Sequence, residues 1–127
     1  PFLDEYGKAR QNAARKDSAA FEGHKNIIAP SICDICDCHV FHQYTLRIID
    51  GDRNGLMEHL LAKGIPCAIY YPIPLHSQKA YADARYKEED FPVTNQLVKE
   101  VISLPMHTEL DDEQIKFITD SVLEFFN

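Results

Sequence analysis

Residues 40–48 of this 127-residue chain alternate their side chains in the period of two that a β-strand requires. One face of the predicted strand carries Val40, His42, Tyr44, Leu46 and Ile48, and the other carries Phe41, Gln43, Thr45 and Arg47. A strand with a mainly apolar face needs another layer to cover it. The flanking segments have helical periodicity, so the chain is predicted to fold as a sheet packed against helices.

Helical segments precede and follow this strand. Residues 1–23 repeat apolar side chains at intervals of mostly three and four, and Gly23 can adopt the left-handed conformation that ends a helix. A second helix is predicted to begin at the capping residue Asp52 and to end at Gly64. The start of the first helix has no capping residue, which leads us to expect further chain upstream.

Two more helices are predicted in the C-terminal part. Residues 92–100 place apolar side chains on one helical face. The last helix has the clearest start signal, a capping box formed by Asp111 and Gln114. Leu110 and Ile115 flank that box as a hydrophobic staple.

The remaining strands are short. Residues 66–71 and 101–104 are predicted as strands because both are mainly apolar and both stop at a proline. Pro72 and Pro74 lack the backbone donor that a paired strand needs, so this segment is expected to leave the sheet as a rigid extended stretch. The predicted loops cover residues 26–38 and 77–91.

The order of helices and strands predicts the fold class. Helices and strands alternate from the first helix to the last, which gives an α/β or α+β domain with a small sheet of about three strands flanked by helices. A chain of 127 residues suits one domain with a single core. We therefore expect residues 1–127 to form a single domain.

The charge balance limits the partners that the chain can bind. Lysine and arginine number 13 against 20 aspartates and glutamates, which gives a net charge of −7. Nucleic acids and anionic membrane surfaces are poor partners for such a chain. No apolar run is long enough to cross a bilayer, and no secretion signal is visible. We expect a cytoplasmic protein.

Three of the four cysteines lie close together, at Cys33, Cys36 and Cys38, and His39 follows them. Their spacing is poorly suited to disulfides, and we interpret them as reduced thiols. Thiolates and imidazole are zinc ligands, so a metal site is an alternative. Structural zinc sites normally use two separated ligand pairs, and only Cys67 lies elsewhere, so we predict no metal. Nucleophilic catalysis by these thiols is disfavoured because the neighbouring aspartates oppose the thiolate.

Several polar side chains could form one edge of a ligand site. His42 and Arg47 lie on the first predicted strand, His76 follows the Pro-x-Pro segment, and His107 follows the last strand. The two prolines restrict the backbone, so Tyr71 and His76 would be presented with little ordering entropy left to lose. The glycine-rich phosphate-binding motifs GxGxxG and GxxxxGK are absent.

Three segments together resemble one known family: Val40–Arg47 (VFHQYTLR), Ile69–Gln78 (IYYPIPLHSQ) and Leu104–Leu110 (LPMHTEL). They are similar to the C-terminal small domain of the DegT/DnrJ/EryC1/StrS aminotransferases. Phe2–Tyr6 resembles the helix that passes from the large to the small domain of those proteins, and Asp90–Thr94 matches a further family segment. The resemblance covers nearly the whole chain.

The resemblance implies a function for a longer parent protein. Members of this family use pyridoxal phosphate to transfer an amino group, usually from glutamate, to a keto group of a nucleotide-linked sugar. They are usually homodimers with sites at the subunit interface, and surface polysaccharide or modified-sugar pathways use their products. On this resemblance, residues 1–23 form the leading interdomain helix and residues 24–127 the small domain.

The resemblance also implies which parts of the site are present. The lysine that forms the aldimine belongs to the large domain, so we expect no catalytic residue here, no cofactor bound to this chain alone and no activity of the chain alone. The implied substrate-binding residues are His42, Tyr44, Arg47, Tyr71 and His76. The alternative that stays open is a free-standing, non-catalytic module that binds a small molecule or a metal.

Overall fold

The computed structural model describes residues 2–32 and 38–127. It contains four α-helices, a three-stranded sheet and three single turns of 3₁₀-helix. The helices are α1 (Phe2–Phe21), α2 (Arg53–Ala62), α3 (Pro92–Glu100) and α4 (Asp112–Phe125). The strands are β1 (Ile27–Ile28), β2 (Tyr44–Ile48) and β3 (Val101–Leu104), and the 3₁₀ turns span Leu75–Ser77, Lys79–Tyr81 and Glu88–Asp90.

The sheet is antiparallel in the order β1-β2-β3. In its register Tyr44 lies opposite Leu104 and Arg47 lies opposite Val101. Directly opposed residues project from the same face, so the register sorts the strand side chains into two sets. This confirms the predicted fold class, a small sheet of three strands flanked by helices.

One face of the sheet forms the core. Tyr44, Leu46 and Ile48 of β2 are buried. They join Ile102 and Leu104 of β3 in one hydrophobic cluster, to which α1, α2 and α4 contribute Ala14, Phe21, Leu56, Leu60, Ile118 and Val122. Three helices, α1, α2 and α4, thus contribute to the core on one face. Helix α3 also contacts β2 but adds no residue to this set. None of the helices in the described ranges is long and apolar enough to span a membrane.

The predicted helix ends are confirmed. Asp52 accepts a hydrogen bond from the backbone N–H of Gly55 at 2.9 Å. The Asp111 carboxylate accepts from the Gln114 N–H at 2.8 Å, and the Gln114 side chain accepts from the Asp111 N–H at 3.1 Å, which completes the capping box. Gly64, just beyond α2, has a φ of +75°, a conformation that favours glycine.

The strand predictions need correction in three places. Residues 66–71 do not form a strand, because Pro66 and Pro72 confine the pairing to one bridge between Ala68 and Ser103. The predicted strand 40–48 begins only at Tyr44, since Phe41 has a φ of +44° that interrupts extended backbone. The predicted loop 26–38 contains the two-residue strand β1, which is too short to show a period.

Candidate functional site

The sheet face opposite the core carries two adjacent grooves. The first, here called the tyrosine groove, lies between the segment that follows Ala68 and helix α3 and has a volume of about 580 Å³. Its walls are mainly aromatic and aliphatic. They are formed by Tyr70, Tyr71, Ile73, Pro74, Leu75, Gln78, Tyr81, Thr94, Leu97, Val98 and Val101.

The second groove, here called the histidine groove, has a volume of about 480 Å³ and is more polar. Its lining includes His42, Gln43, Cys67, Ser103 and Met106, and Tyr70 lines both grooves. The Ser103 hydroxyl shares a hydrogen bond of 2.8 Å with the hydroxyl of Thr45, so hydroxyl groups lie on this face of the sheet.

Cys67 is not an activated thiol. Burial raises its pKa, and its Sγ lies 3.8 Å from the Met57 carbonyl oxygen. A raised pKa keeps the protonated form at neutral pH, and the thiolate is the nucleophile. Nucleophilic chemistry at this end of the histidine groove is therefore disfavoured.

Arg47 lies on the same face but is already paired. Its Nε and Nη2 contact Oε2 of Glu100 at 2.9 and 2.8 Å. Gln96 donates to the other carboxylate oxygen of Glu100 at 2.8 Å. The hydrogen bonds from Gln96 and then Arg47 lower the pKa of Glu100, so the carboxylate stays ionised at neutral pH. The charge of Arg47, one of the implied substrate-binding residues, is thus neutralised.

His76 lies behind the tyrosine groove instead of in its lining. Its ring stacks on Phe91 with a centroid separation of 4.4 Å and an interplanar angle of 16°. Its Nε2 contacts Oδ1 of Asn95 at 3.0 Å, and Asn95 donates to the Glu88 carbonyl at 2.6 Å. These contacts fasten the Pro-x-Pro segment to α3, so His76 positions the wall of the groove.

Tyr44 lies in the core. The side chain is fully buried, and its hydroxyl shares a hydrogen bond of 2.8 Å with Ser18 of α1. Burial, with a smaller effect of the nearby Asp17 charge, raises the pKa of Tyr44 above its usual range despite the bond to Ser18. Asp17 is only 2% exposed, and its Oδ1 has no hydrogen-bond partner among the described residues. Burial raises the pKa of Asp17 to about 7.

The structure therefore places each of the five predicted substrate-binding residues in a different setting. Tyr71, 72% exposed, lies in the tyrosine groove, and His42 lies in the adjacent histidine groove. Arg47 is paired beside the tyrosine groove, His76 supports that groove, and Tyr44 belongs to the core. Tyr70 and Tyr81 also line the tyrosine groove but were not among the predicted site residues. Their aromatic side chains lie close in sequence to the Pro-x-Pro segment and could have been selected for that reason.

The described residues do not assemble a complete metal or cofactor site. Within residues 2–32 and 38–127, no group of three or more His, Cys, Asp and Glu side chains could hold a metal ion. Cys33 and Cys36 of the cysteine motif lie outside the described residues. Neither groove has a described lysine or carboxylate in its lining. These residues alone do not fit pyridoxal phosphate, whose chemistry requires a lysine at the site.

Comparison with known proteins gives a consistent result. The chain matches the sequence model of the DegT/DnrJ/EryC1/StrS aminotransferase family over residues 2–123. It is 42% identical over 128 residues to the pleiotropic regulatory protein of Geobacillus stearothermophilus, covering 99% of this chain and 34% of that protein.

A second relative is named for a reaction, and a solved structure shares the fold. The chain is 33% identical to dTDP-3-amino-3,6-dideoxy-alpha-D-galactopyranose transaminase of Aneurinibacillus thermoaerophilus, covering 87% of this chain and 30% of that protein. It superposes on the crystal structure of S. venezuelae DesV in complex with a ketimine intermediate, with a TM-score of 0.87 and 30% identity, covering 98% of this chain and 33% of that one. The chain thus spans about a third of the length of these relatives.

Proposed function

Because this chain belongs to the DegT/DnrJ/EryC1/StrS aminotransferase family, we propose that it is the C-terminal small domain of a pyridoxal-phosphate-dependent sugar aminotransferase. The parent transfers an amino group from glutamate to a keto group of a nucleotide-linked sugar. The dTDP-sugar transaminase relative supports this substrate class. The parent is a cytoplasmic homodimer whose products serve surface polysaccharide or modified-sugar synthesis.

The proposal assigns residues 1–23 to the interdomain helix and residues 24–127 to the small domain. The cofactor supplies the electron sink of the reaction, and the protein binds and orients it. The reactive lysine belongs to the part of the parent outside this chain. On this view the chain alone binds no cofactor and does not transaminate.

The proposal rests on one observation. The sheet face opposite the core carries two adjacent grooves that share Tyr70. It exposes an aromatic groove and a polar groove side by side, and it carries no described lysine or carboxylate in either lining. Such a surface can bind and enclose a substrate, and we propose that the group which carries out amino transfer comes from another part of the parent. Closing it over a second domain excludes water from the reacting groups. His42 and Tyr71 are the exposed groups that we propose contact the substrate.

The test is an amino-transfer assay on the full-length gene product and on this chain alone. The full-length protein should convert a dTDP-linked keto sugar to the amino sugar with glutamate as donor, and the isolated chain should not. The chain alone should also leave the absorbance spectrum of pyridoxal phosphate unchanged. No transfer by the full-length protein, with saturable binding of the nucleotide sugar by the chain alone, would favour the non-catalytic binding module.

A further inference from the structure

The tyrosine groove has the size and lining of a small-molecule site. Its volume of about 580 Å³ lies within the ~300–1,000 Å³ that ligand pockets usually have. Its lining is apolar with a few polar groups, among them Gln78 and Thr94. Tyr71 and Tyr81 are 72% and 62% exposed. Large apolar side chains gathered in a concave exposed surface mark a binding site.

The aromatic rings leave open faces for a flat ligand. Tyr70 and Tyr71 meet edge to face, with centroids 5.8 Å apart and an interplanar angle of 69°. Neither ring covers the face of the other, so a ring face remains available for stacking. Gln78 donates one long hydrogen bond of 3.4 Å to the Ile73 carbonyl, and its amide oxygen accepts none from the described residues. Stacking surface and amide edge together suit a planar heteroaromatic ring.

The electrostatics favour a neutral ring over a phosphate in this groove. No charged side chain of the described residues lines it. Two arginines lie next to the lining. Arg47, directly opposite Val101, is neutralised by Glu100. The Nη1 of Arg53 is engaged by the backbone, because it donates to the carbonyl oxygens of Val98 and Val101 at 3.3 and 2.9 Å. The chain as a whole carries a net charge of −7. Affinity must therefore come from stacking and burial, since a phosphate gains little here.

We propose that the tyrosine groove binds the pyrimidine base of the nucleotide-linked substrate. The base stacks on Tyr71, Tyr81 forms a second aromatic wall, and Gln78 and Thr94 face the polar edge of the base. This inference rests on the proposed function and refines it, because Tyr71 then contacts the base instead of the sugar. The adjacent histidine groove, which shares Tyr70, is left for the sugar.

The experiment titrates thymidine and dTMP into the ¹⁵N-labelled 127-residue chain and follows amide chemical shifts. Both should shift the amides of Leu97, Val98 and Val101, with dissociation constants within about threefold of each other because the phosphate adds little. Tyr71→Ala should weaken thymidine binding by roughly five- to 150-fold, the effect of removing a stacked aromatic ring. Tyr86→Ala is the matched control, since Tyr86 is 56% exposed and lies outside the groove lining.

Three outcomes would overturn the inference. Thymidine could leave the groove amides unshifted, dTMP could bind where thymidine does not, or Tyr71→Ala could bind as tightly as Tyr86→Ala. Retained spectral dispersion verifies that each variant is folded, and Tyr81→Ala provides a second removal of a stacking surface. Thymidine bound in the groove of a full-length protein without amino transfer would instead refute only the proposed function. Amino transfer by a full-length protein whose groove ignores thymidine would refute only this inference.

Discussion

Asp17 should make the stability of this domain depend on pH. Its carboxyl group is 2% exposed in the interface between α1 and the sheet, and burial raises its pKa from 3.8 to about 7. In the unfolded chain the group titrates near its ordinary value, about 3.9. The folded state therefore binds more protons between about pH 4 and pH 7. Because stability falls with pH wherever the folded state binds more protons, ionisation of Asp17 destabilises the domain over this range.

The size of the effect follows from the pKa difference. Each pKa unit corresponds to about 1.4 kcal/mol, so a difference of about three units amounts to about 4 kcal/mol. The loss is complete above about pH 7, where both states are ionised. Asp17→Asn keeps the shape of the protonated acid and removes the ionisation. The amide brings its own unpaired N–H groups, at a cost of about 1–3 kcal/mol, which reduces the gain at high pH.

The assay is urea unfolding at pH 5, 6, 7 and 8, followed by circular dichroism, with the free energy of unfolding extrapolated to zero denaturant. The difference in unfolding free energy between Asp17→Asn and the unaltered chain should shift in favour of the variant by about 1.4 kcal/mol per pH unit between pH 5 and 6, and by less per unit as the pH approaches 7. Taking the difference cancels the titration of the six histidines.

Asp4→Asn is the matched control, because Asp4 lies exposed on the same helix. The free energy of unfolding of Asp4→Asn should stay within about 0.5 kcal/mol of the value for the unaltered chain at every pH. The same pH dependence in both variants would mean that Asp17 titrates as an exposed carboxyl group does, which would refute the assigned burial effect.

Three other perturbations test the contacts that hold the site. His76→Ala removes the ring stacked on Phe91. Exchange of the hydrogen-bonded amides of Ser77 and Gln78 should therefore accelerate about tenfold while the urea midpoint changes little, and a large drop in the midpoint would place His76 in the core instead. Asp111→Ala should lower the free energy of unfolding by about 1 kcal/mol through loss of the helix cap, and an unchanged value would contradict the capping box. Glu100→Gln should weaken the pairing with Arg47, so that thymidine diphosphate binds more tightly than to the unaltered chain, and equal affinity would remove Arg47 from the site.

The helix boundaries were predictable because their signals are local. The cap at Asp52 and the capping box at Asp111 involve residues within three positions of each other, and the structure confirms both. The pairing of residues 66–71 with the sheet could not be predicted from local signals. It depends on how far Pro66 and Pro72 let the backbone follow β3, a strand more than thirty residues later.

The site was harder to predict than the fold. Arg47 was predicted to bind substrate, but its partner Glu100 lies 53 residues away in the chain, and no local pattern reveals such a pair. Asp17 could have been found. It lies three residues after Ala14 and four before Phe21, both buried, so the helical period that predicts α1 also places this carboxyl group in the core.

The arrangement of the sheet explains why contact with substrate and support of the site fall to different residues. Alternation along β2 sends Tyr44 into the core, where Ser18 holds its hydroxyl, and sends Arg47 to the open face. A group on that face can meet a ligand only if its own partners leave it accessible, as with Tyr71. Side chains with strong partners, such as His76 bound to Asn95, instead fix the backbone that carries the exposed side chains. Substitutions of supporting residues such as His76 should therefore alter substrate affinity through the geometry of the groove. Substitutions of Tyr71 should alter substrate affinity through direct contact.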